Sequence, residues 1–238
     1  MMGAIASFQS MGAVDGPGLR CAVFMQGCPL RCQCCHNPET WVPGAGTQIS
    51  VEELTDRILR YRSYIKKGGV TVSGGEPLLQ AAFVAELFRR LRQEGIHTAL
   101  DTSGYGDLAA VRELLNVTDL VICDIKFTDE TIFERFCGGQ LQQVYDFLAL
   151  TAEMRVPLWL RQVIIPGLND NEKSVLQLKK QAALYPNAEK IELLPFRKLC
   201  VTKYEELGIP FPLEDTPECP DETIRTLKLL LSETENSP

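Results

Sequence analysis

The strongest constraint on the fold is a regular alternation of short β-prone runs with stretches at helical spacing. The β-prone runs are "RCAVFMQG" (20–27), "GVTVS" (69–73), "HTALD" (97–101), "DLVICD" (119–124), "PLWLRQVIIPG" (157–167) and "KIELLPF" (190–196). Between and after them come "SVEELTDRILRYRSYI" (50–65), "AAFVAELFRRLRQEG" (81–95), "DLAAVRELLNV" (107–117), "QVYDFLALTAEM" (143–154), "EKSVLQLKKQAAL" (172–184) and "DETIRTLKLLLSE" (221–233). Apolar residues at i, i+3 and i+4 mark these as helices, and Ser50 followed by Glu53 has the form of a capping box. Repeated β–α units imply parallel strands with helices packed outside. Six units fall between about residues 19 and 233, whereas a closed barrel takes eight in roughly 250 residues. The expected fold is therefore α/β, an incomplete, open (β/α)6 barrel. No linker or compositional break divides it, so one domain over residues 1–238 is expected, with a core from about 14 to 233. "GIPFPLEDTPECP" (208–220) reads as an ordered surface loop and the tail "TENSP" as frayed.

Composition narrows the function classes. The 238 residues are 45% hydrophobic and 23% charged, with a net charge of −7, which is ordinary globular composition. The acidic balance argues against a nucleic-acid partner, and no apolar run reaches the ~18 residues of a membrane span. The N-terminal "MMGAIASFQSMG" lacks the basic start and long apolar core of a secretory signal. The expected setting is the cytoplasm, where thiols stay reduced.

The polar residues fall in a pattern that helix caps and turns alone do not explain. The first strand runs into a cysteine loop, the second ends in "SGGEP" (73–77), the third in "DTSG" (101–104) and the fourth in "DIK" (124–126). The fifth carries Arg161, and the sixth runs into "PFRK" (195–198). In an α/β barrel the C-terminal strand ends share one rim, which carries the active site. Cysteines, a glycine pair, carboxylates and cations are thus expected to meet in one bowl.

"CPLRCQCCHN" (28–37) holds four of the nine cysteines. A disulfide framework prefers an even count and dispersed spacing. A structural zinc site needs a second pair of ligands, yet Cys200 and Cys219 lie 19 residues apart and only His36 and His97 exist. A dense loop fits an iron–sulfur cluster better. Cys28 and Cys32 are two ligands, and Cys34 and Cys35 compete to be the third. Neighbours in an extended loop point to opposite sides, so Cys34 and Cys35 do not both face one iron corner. Three thiolates leave one iron of a four-iron cluster open. The scattered cysteines, including Cys21 and Cys123, read as small buried hydrophobes.

The spacing C-x3-C-x2-C followed by "HN" and "SGGEP" resembles the radical S-adenosylmethionine (SAM) superfamily. "VDGPGLR", "FMQGCPLRCQCCHN", "VTVSGGEPLLQ", "HTALDTSGY", "VTDLVICDIK" and "KIELLPF" together resemble its glycyl-radical-enzyme activating proteins, over about residues 3–233. The short form, without a ferredoxin-like insert after the cysteine loop, points to the pyruvate formate-lyase type. The resemblance implies a [4Fe-4S] cluster on Cys28, Cys32 and Cys35, which are also the catalytic cysteines. It implies SAM on the open iron, reductive cleavage to a 5′-deoxyadenosyl radical, and hydrogen abstraction from a backbone glycine of a partner enzyme. Cys34, Cys35 and His36 would lie on the adenine side. Gly74, Gly75 and Glu76 would meet the methionine amino group. Asp101 and Asp124 would sit near the methionine end with a monovalent cation, and Lys126 near the ribose. Asn37, Ser73 and Ile125 would be further cofactor contacts. Arg161 would hold the methionyl part, Asp15 to Gly18 would border the substrate loop, and Arg197 would be a further cofactor contact. Cys34 stands where the family usually has an aromatic residue, and Arg197 where it has histidine. The implied partners are a glycyl radical enzyme and a flavodoxin- or ferredoxin-type electron donor, with the chain acting as a monomer.

Overall fold

The computed structural model describes residues 1–232; the "TENSP" tail lies outside them. Eight strands form one sheet: β1 (Met2–Gly12), β2 (Arg20–Met25), β3 (Thr47–Ser50), β4 (Gly69–Gly74), β5 (Thr98–Thr102), β6 (Leu120–Asp124), β7 (Leu158–Ile164) and β8 (Ala188–Pro195). Their spatial order is β3-β1-β2-β4-β5-β6-β7-β8. From β2 to β8 every pairing is parallel. These are the six strands expected from sequence, in an open, mostly parallel sheet.

The N-terminal segment departs from the expectation. It is a strand, pairing antiparallel with both β2 and β3. Its outer half alternates between partly buried and exposed, as suits an added strand with one wet face.

The helices are α1 (Val51–Leu59), α2 (Ala81–Gln93), α3 (Leu108–Leu115), α4 (Glu130–Cys137), α5 (Leu141–Glu153), α6 (Glu172–Ala182), α7 (Val201–Leu207) and α8 (Asp221–Ser232). α1 begins at the expected cap, where Ser50 Oγ accepts from Glu53 N at 3.1 Å, but ends six residues before the run's last residue, Ile65. α4 and α7 were not anticipated. The region 208–220 is ordered and anchored by buried Phe211, Leu213 and Cys219. Among the described residues no helix is long and apolar enough to cross a membrane.

The core lies between sheet and helices. Val23, Val72, Leu100, Leu160 and Phe88 have no exposed surface, and Cys21 and Cys123 are buried within it, as expected. Where β4 leaves the sheet, Gly74 takes φ +111°, and a Cβ there would lie 2.2 Å from Met25 N on β2. The next residue, Gly75, would put its Cβ 2.2 Å from Gly27 O. Both glycines let the end of β4 pass directly beneath the cysteine loop.

Gly74→Ala meets both a forbidden φ and a backbone clash, so it is expected to lower unfolding stability by about 2 kcal/mol or more. Denaturant unfolding of the two proteins checks this; equal midpoints would contradict it.

Candidate active site

The strand ends meet in one cavity of about 440 Å³. The cysteine loop supplies one wall through Cys28, Cys32, Cys34 and Cys35. Ser73, Gly74 and Gly75 come from the end of β4, Asp101 from β5, and Asp124 and Lys126 from β6 and the loop after it. Val163, Leu194 and Leu199 add an apolar side. Leu199 is 80% exposed and Val14, beside the cavity-lining Asp15, is 81% exposed, so apolar surface continues outward from the mouth.

The loop is held from several directions. Gly27 N donates to Thr40 O at 2.7 Å and Cys28 N to Trp41 O at 3.3 Å. The end of β4 grips the same loop, as Gly75 N donates to Met25 O at 3.0 Å and Glu76 N to Gly27 O at 2.8 Å. Cys32 lies between Arg31 and Gln33, whose amides donate to Cys137 O and Phe136 O at 2.8 Å each. Cys35 Sγ accepts from Asn37 N at 3.4 Å. Burial pushes the Cys28 thiol up to about 12, and Cys35 rises chiefly for the same reason. Cys32 rises well above its ordinary range, first through the neighbouring Cys137 and then through burial. Thiolates here need a cationic partner, which is what iron supplies. Buried and half-buried cysteines gathered on one cavity wall have the donor chemistry that an iron–sulfur cluster takes.

Glu76 corrects an expectation. It has no exposed surface and does not line the cavity. Its carboxylate accepts from Leu78 N at 3.0 Å, Thr102 Oγ1 at 2.6 Å, Ser103 N at 2.9 Å and Ser103 Oγ. Burial raises its pKa while those donors oppose the shift. Glu76 therefore ties the ends of β4 and β5 together behind the wall. Thr102 and Ser103, both cavity residues, lie inside the quoted "DTSG" but received no role from sequence.

The floor is acidic. Ser73 Oγ donates to Asp101 Oδ2 at 3.1 Å, and Arg161 Nη1 lies 3.6 Å from the same oxygen. Burial, and then the neighbouring Asp124, push the Asp101 carboxyl up to about 7 against the pull of Arg161, Ser73 and Lys126. Lys126 Nζ bonds Asp124. Burial works against its charge, but Asp124 and the Cys34 and Cys32 sulfurs outweigh this and hold its pKa well above the usual value. Lys126 keeps two further N–H donors.

Three other expected contacts sit differently. Arg161 is not a cavity-lining residue: it bonds Glu192 Oε2 at 2.9 Å and Val14 O at 3.3 Å, besides its approach to Asp101. Ile125 is fully buried, with its amide on Arg161 O at 2.9 Å. Arg197 does line the cavity, but its guanidinium is engaged by Cys219 O and Asp221. Its carbonyl receives the Nε2–H of His36 at 2.9 Å, a carbonyl being able only to accept. Burial lowers the His36 pKa. Asn37 Oδ1 accepts from Lys203 at 2.7 Å.

Arg20 is a residue the sequence reading passed over. It is fully buried and bonds Thr71 Oγ1 at 2.7 Å, Gly68 O and Val70 O at 2.6 Å each, and Pro17 O at 3.1 Å. Thr71 Oγ1 in turn donates to Asp15 O, so the Asp15–Gly18 turn is pinned to the sheet beside the cavity. Its sequence signal was a charged residue opening an apolar strand. Asp15 Oδ2 is buried without a partner.

A family profile described as "4Fe-4S single cluster domain" matches residues 14–145. The chain is 41% identical to the pyruvate formate-lyase-activating enzyme of Clostridium pasteurianum over 235 residues, 98% of each chain. Among solved structures it resembles a domain of the pyruvate-formate lyase-activating enzyme of Bacteroides vulgatus, with a TM-score of 0.58, 28% identity, and coverage of 70% of this chain and 94% of that one. QueE of Escherichia coli shares the fold, at TM-score 0.55 and 18% identity, covering 88% of this chain and 92% of that one.

The raised Asp101 pKa has a sign. The folded chain holds a proton that the unfolded chain releases near 3.8. The stability this contributes is full below that value and lost as pH rises through about 7. Thermal unfolding of the cofactor-free protein at about pH 5 and about pH 8 should show a fall in midpoint that shrinks in Asp101→Asn. An equal fall in both proteins would contradict the assignment.

Proposed function

The chain belongs to the pyruvate formate-lyase-activating enzymes of the radical SAM superfamily, and from that premise we propose that it cleaves SAM reductively and abstracts hydrogen from a glycine of pyruvate formate-lyase. The observation that carries this reading is the meeting of Cys28, Cys32 and Cys35 with Asp101, Asp124 and Lys126 around one cavity. A [4Fe-4S] cluster on those three cysteines would supply the electron that breaks the S–C5′ bond of SAM, yielding methionine and a 5′-deoxyadenosyl radical.

The residues divide SAM between them by charge. Its sulfonium and ammonium are cationic and suit the Asp101–Asp124 floor; its carboxylate suits a cation. Lys126, with donors to spare beyond Asp124, is the cation in the wall best placed for a polar oxygen of SAM. Arg161 acts from behind, holding Asp101 in place. Ser73 and the Gly74–Gly75 backbone face the methionine end. Cys34, His36 and the apolar side of Val163, Leu194 and Leu199 offer the adenine and ribose a surface that excludes water. A monovalent cation can take the place between Asp101 and Asp124 that the ammonium leaves free.

The glycine-bearing segment of the partner enters at the mouth, where Val14 and Leu199 present exposed apolar surface beside the pinned Asp15–Gly18 turn. The electron comes from a flavodoxin- or ferredoxin-type donor. All nine cysteines are unpaired, in keeping with a reducing cytoplasm. The chain is taken to work as a monomer and as one unit.

Two single-residue variants, Cys34→Ala and Cys35→Ala, test the ligand set after anaerobic reconstitution. The first should retain about four irons per chain and form 5′-deoxyadenosine under a reductant, while the second loses both. The reverse pattern would overturn the assignment of Cys35.

A further inference from the structure

Glu192 lies within the quoted "KIELLPF" but received no role from sequence. It sits on β8, the edge strand of the sheet, directly opposite Arg161 on β7. Arg161 in turn stands opposite Asp124 on β6. Residues paired across neighbouring strands project to the same face of a sheet. The strand register therefore brings the guanidinium and the edge carboxylate to the cavity side of the sheet.

Arg161 is shared between three segments. Its Nε donates to Glu192 Oε2 at 2.9 Å and its Nη2 to Val14 O at 3.3 Å, while its Nη1 lies 3.6 Å from Asp101 Oδ2. The first two are hydrogen bonds; the third is an approach between charges beyond bonding distance. A guanidinium prefers to meet a carboxylate with two parallel N–H groups. Neither carboxylate receives that fork here. Glu192 turns its other oxygen to Lys190, and Asp101 Oδ2 accepts from Ser73 Oγ at 3.1 Å. The side chains of Arg161, Asp101 and Glu192 are 10%, 17% and 23% exposed, so water screens the competition between the two carboxylates only in part.

The balance decides what the cavity floor offers. Asp101 lines the cavity, whereas Arg161 and Glu192 do not. A guanidinium released from Glu192 already stands beside Asp101 and needs only a small movement to pair with it. An Asp101 paired in that way has less to give to a cationic group in the cavity.

We propose that Glu192 is a positioning residue for SAM binding: by holding Arg161 Nε it keeps the guanidinium from closing on Asp101 and leaves that carboxylate to the ammonium of the ligand. The proposal rests on the functional reading above, since it takes SAM as the ligand. It gives the outermost strand of the sheet a part in a cavity that its Glu192 side chain does not line.

The test uses the full chain as wild type, Glu192→Ala and Glu192→Gln, each reconstituted anaerobically, with iron per chain and the unfolding midpoint recorded. Equilibrium dialysis without reductant then gives the dissociation constants of SAM and of 5′-methylthioadenosine, which keeps the adenine and ribose but has no amino-acid part and no positive charge. Glu192→Ala should bind SAM about tenfold more weakly and 5′-methylthioadenosine as the wild type does. Glu192→Gln, which keeps an acceptor of the same size for Arg161 Nε, should return toward wild type and serves alone if the alanine variant does not fold. In an Asp101→Asn background, Glu192→Ala should add little further loss, because the carboxylate that Arg161 would close on is gone. Unchanged SAM affinity in Glu192→Ala would overturn the proposal. So would an equal loss for both ligands, because a general disturbance of the cavity would then account for it, or full additivity with Asp101→Asn. A wild-type chain that binds no SAM would overturn the functional reading, and the proposal with it.

Discussion

The buried carboxylate of Glu76 is the interaction on which the site depends. Burying a charge without partners is costly, and this one is fully enclosed yet surrounded by four donors from Leu78, Thr102 and Ser103. Those donors come from two segments that the strand order makes neighbours, the turn after β4 and the end of β5. The same turn sends its amides to Met25 O and Gly27 O at the base of the cysteine loop. One side chain and two glycines thus lock β2, β4 and β5 at the rim. The cysteine wall and the Asp101 floor inherit their separation from that lock.

Electrostatics then distinguish the two sides of the cavity. On the cysteine wall burial raises the thiol pKa values, so without a cationic partner the thiols stay neutral. The floor gathers Asp101 and Asp124 against Arg161 and Lys126, with burial and mutual repulsion keeping Asp101 near neutrality at about 7. A ligand carrying both positive and negative groups relieves the floor in a way that a neutral one does not. That asymmetry is what the proposed binding of a sulfonium amino acid rests on, and Arg161, though out of the lining, holds Asp101 within it.

Much of this was legible in the sequence. The six parallel strands followed from β-branched runs separated by helical spacing, and their polar ends did converge on one rim. The added strand β1 was not read, because "MGAIASFQSMG" has small or polar residues at seven of its eleven positions and only a weak alternation. α4 was missed although Asp129 supplies a cap and Ile132, Phe133, Phe136 and Cys137 repeat at helical spacing; eight residues are short for that signal to stand out. Within the site, residue type and strand position picked out most of the residues that share the cavity but not the partners that occupy each side chain. Glu76, Arg161 and Arg197 are held by Ser103, Glu192 and Asp221, which lie 27, 31 and 24 residues away. Such captures depend on tertiary proximity, which periodicity does not encode.

The central claim is that this cavity brings the carbon released from SAM to a glycine of the partner enzyme. Its most direct test is isotopic. The anaerobically reconstituted chain is mixed with SAM, a reductant and pyruvate formate-lyase carrying glycine deuterated at Cα, and the 5′-deoxyadenosine is weighed by mass spectrometry. One deuterium in the product, accompanied by a radical signal on the partner, is the expected result. Unlabelled 5′-deoxyadenosine with no radical on the partner would contradict the account.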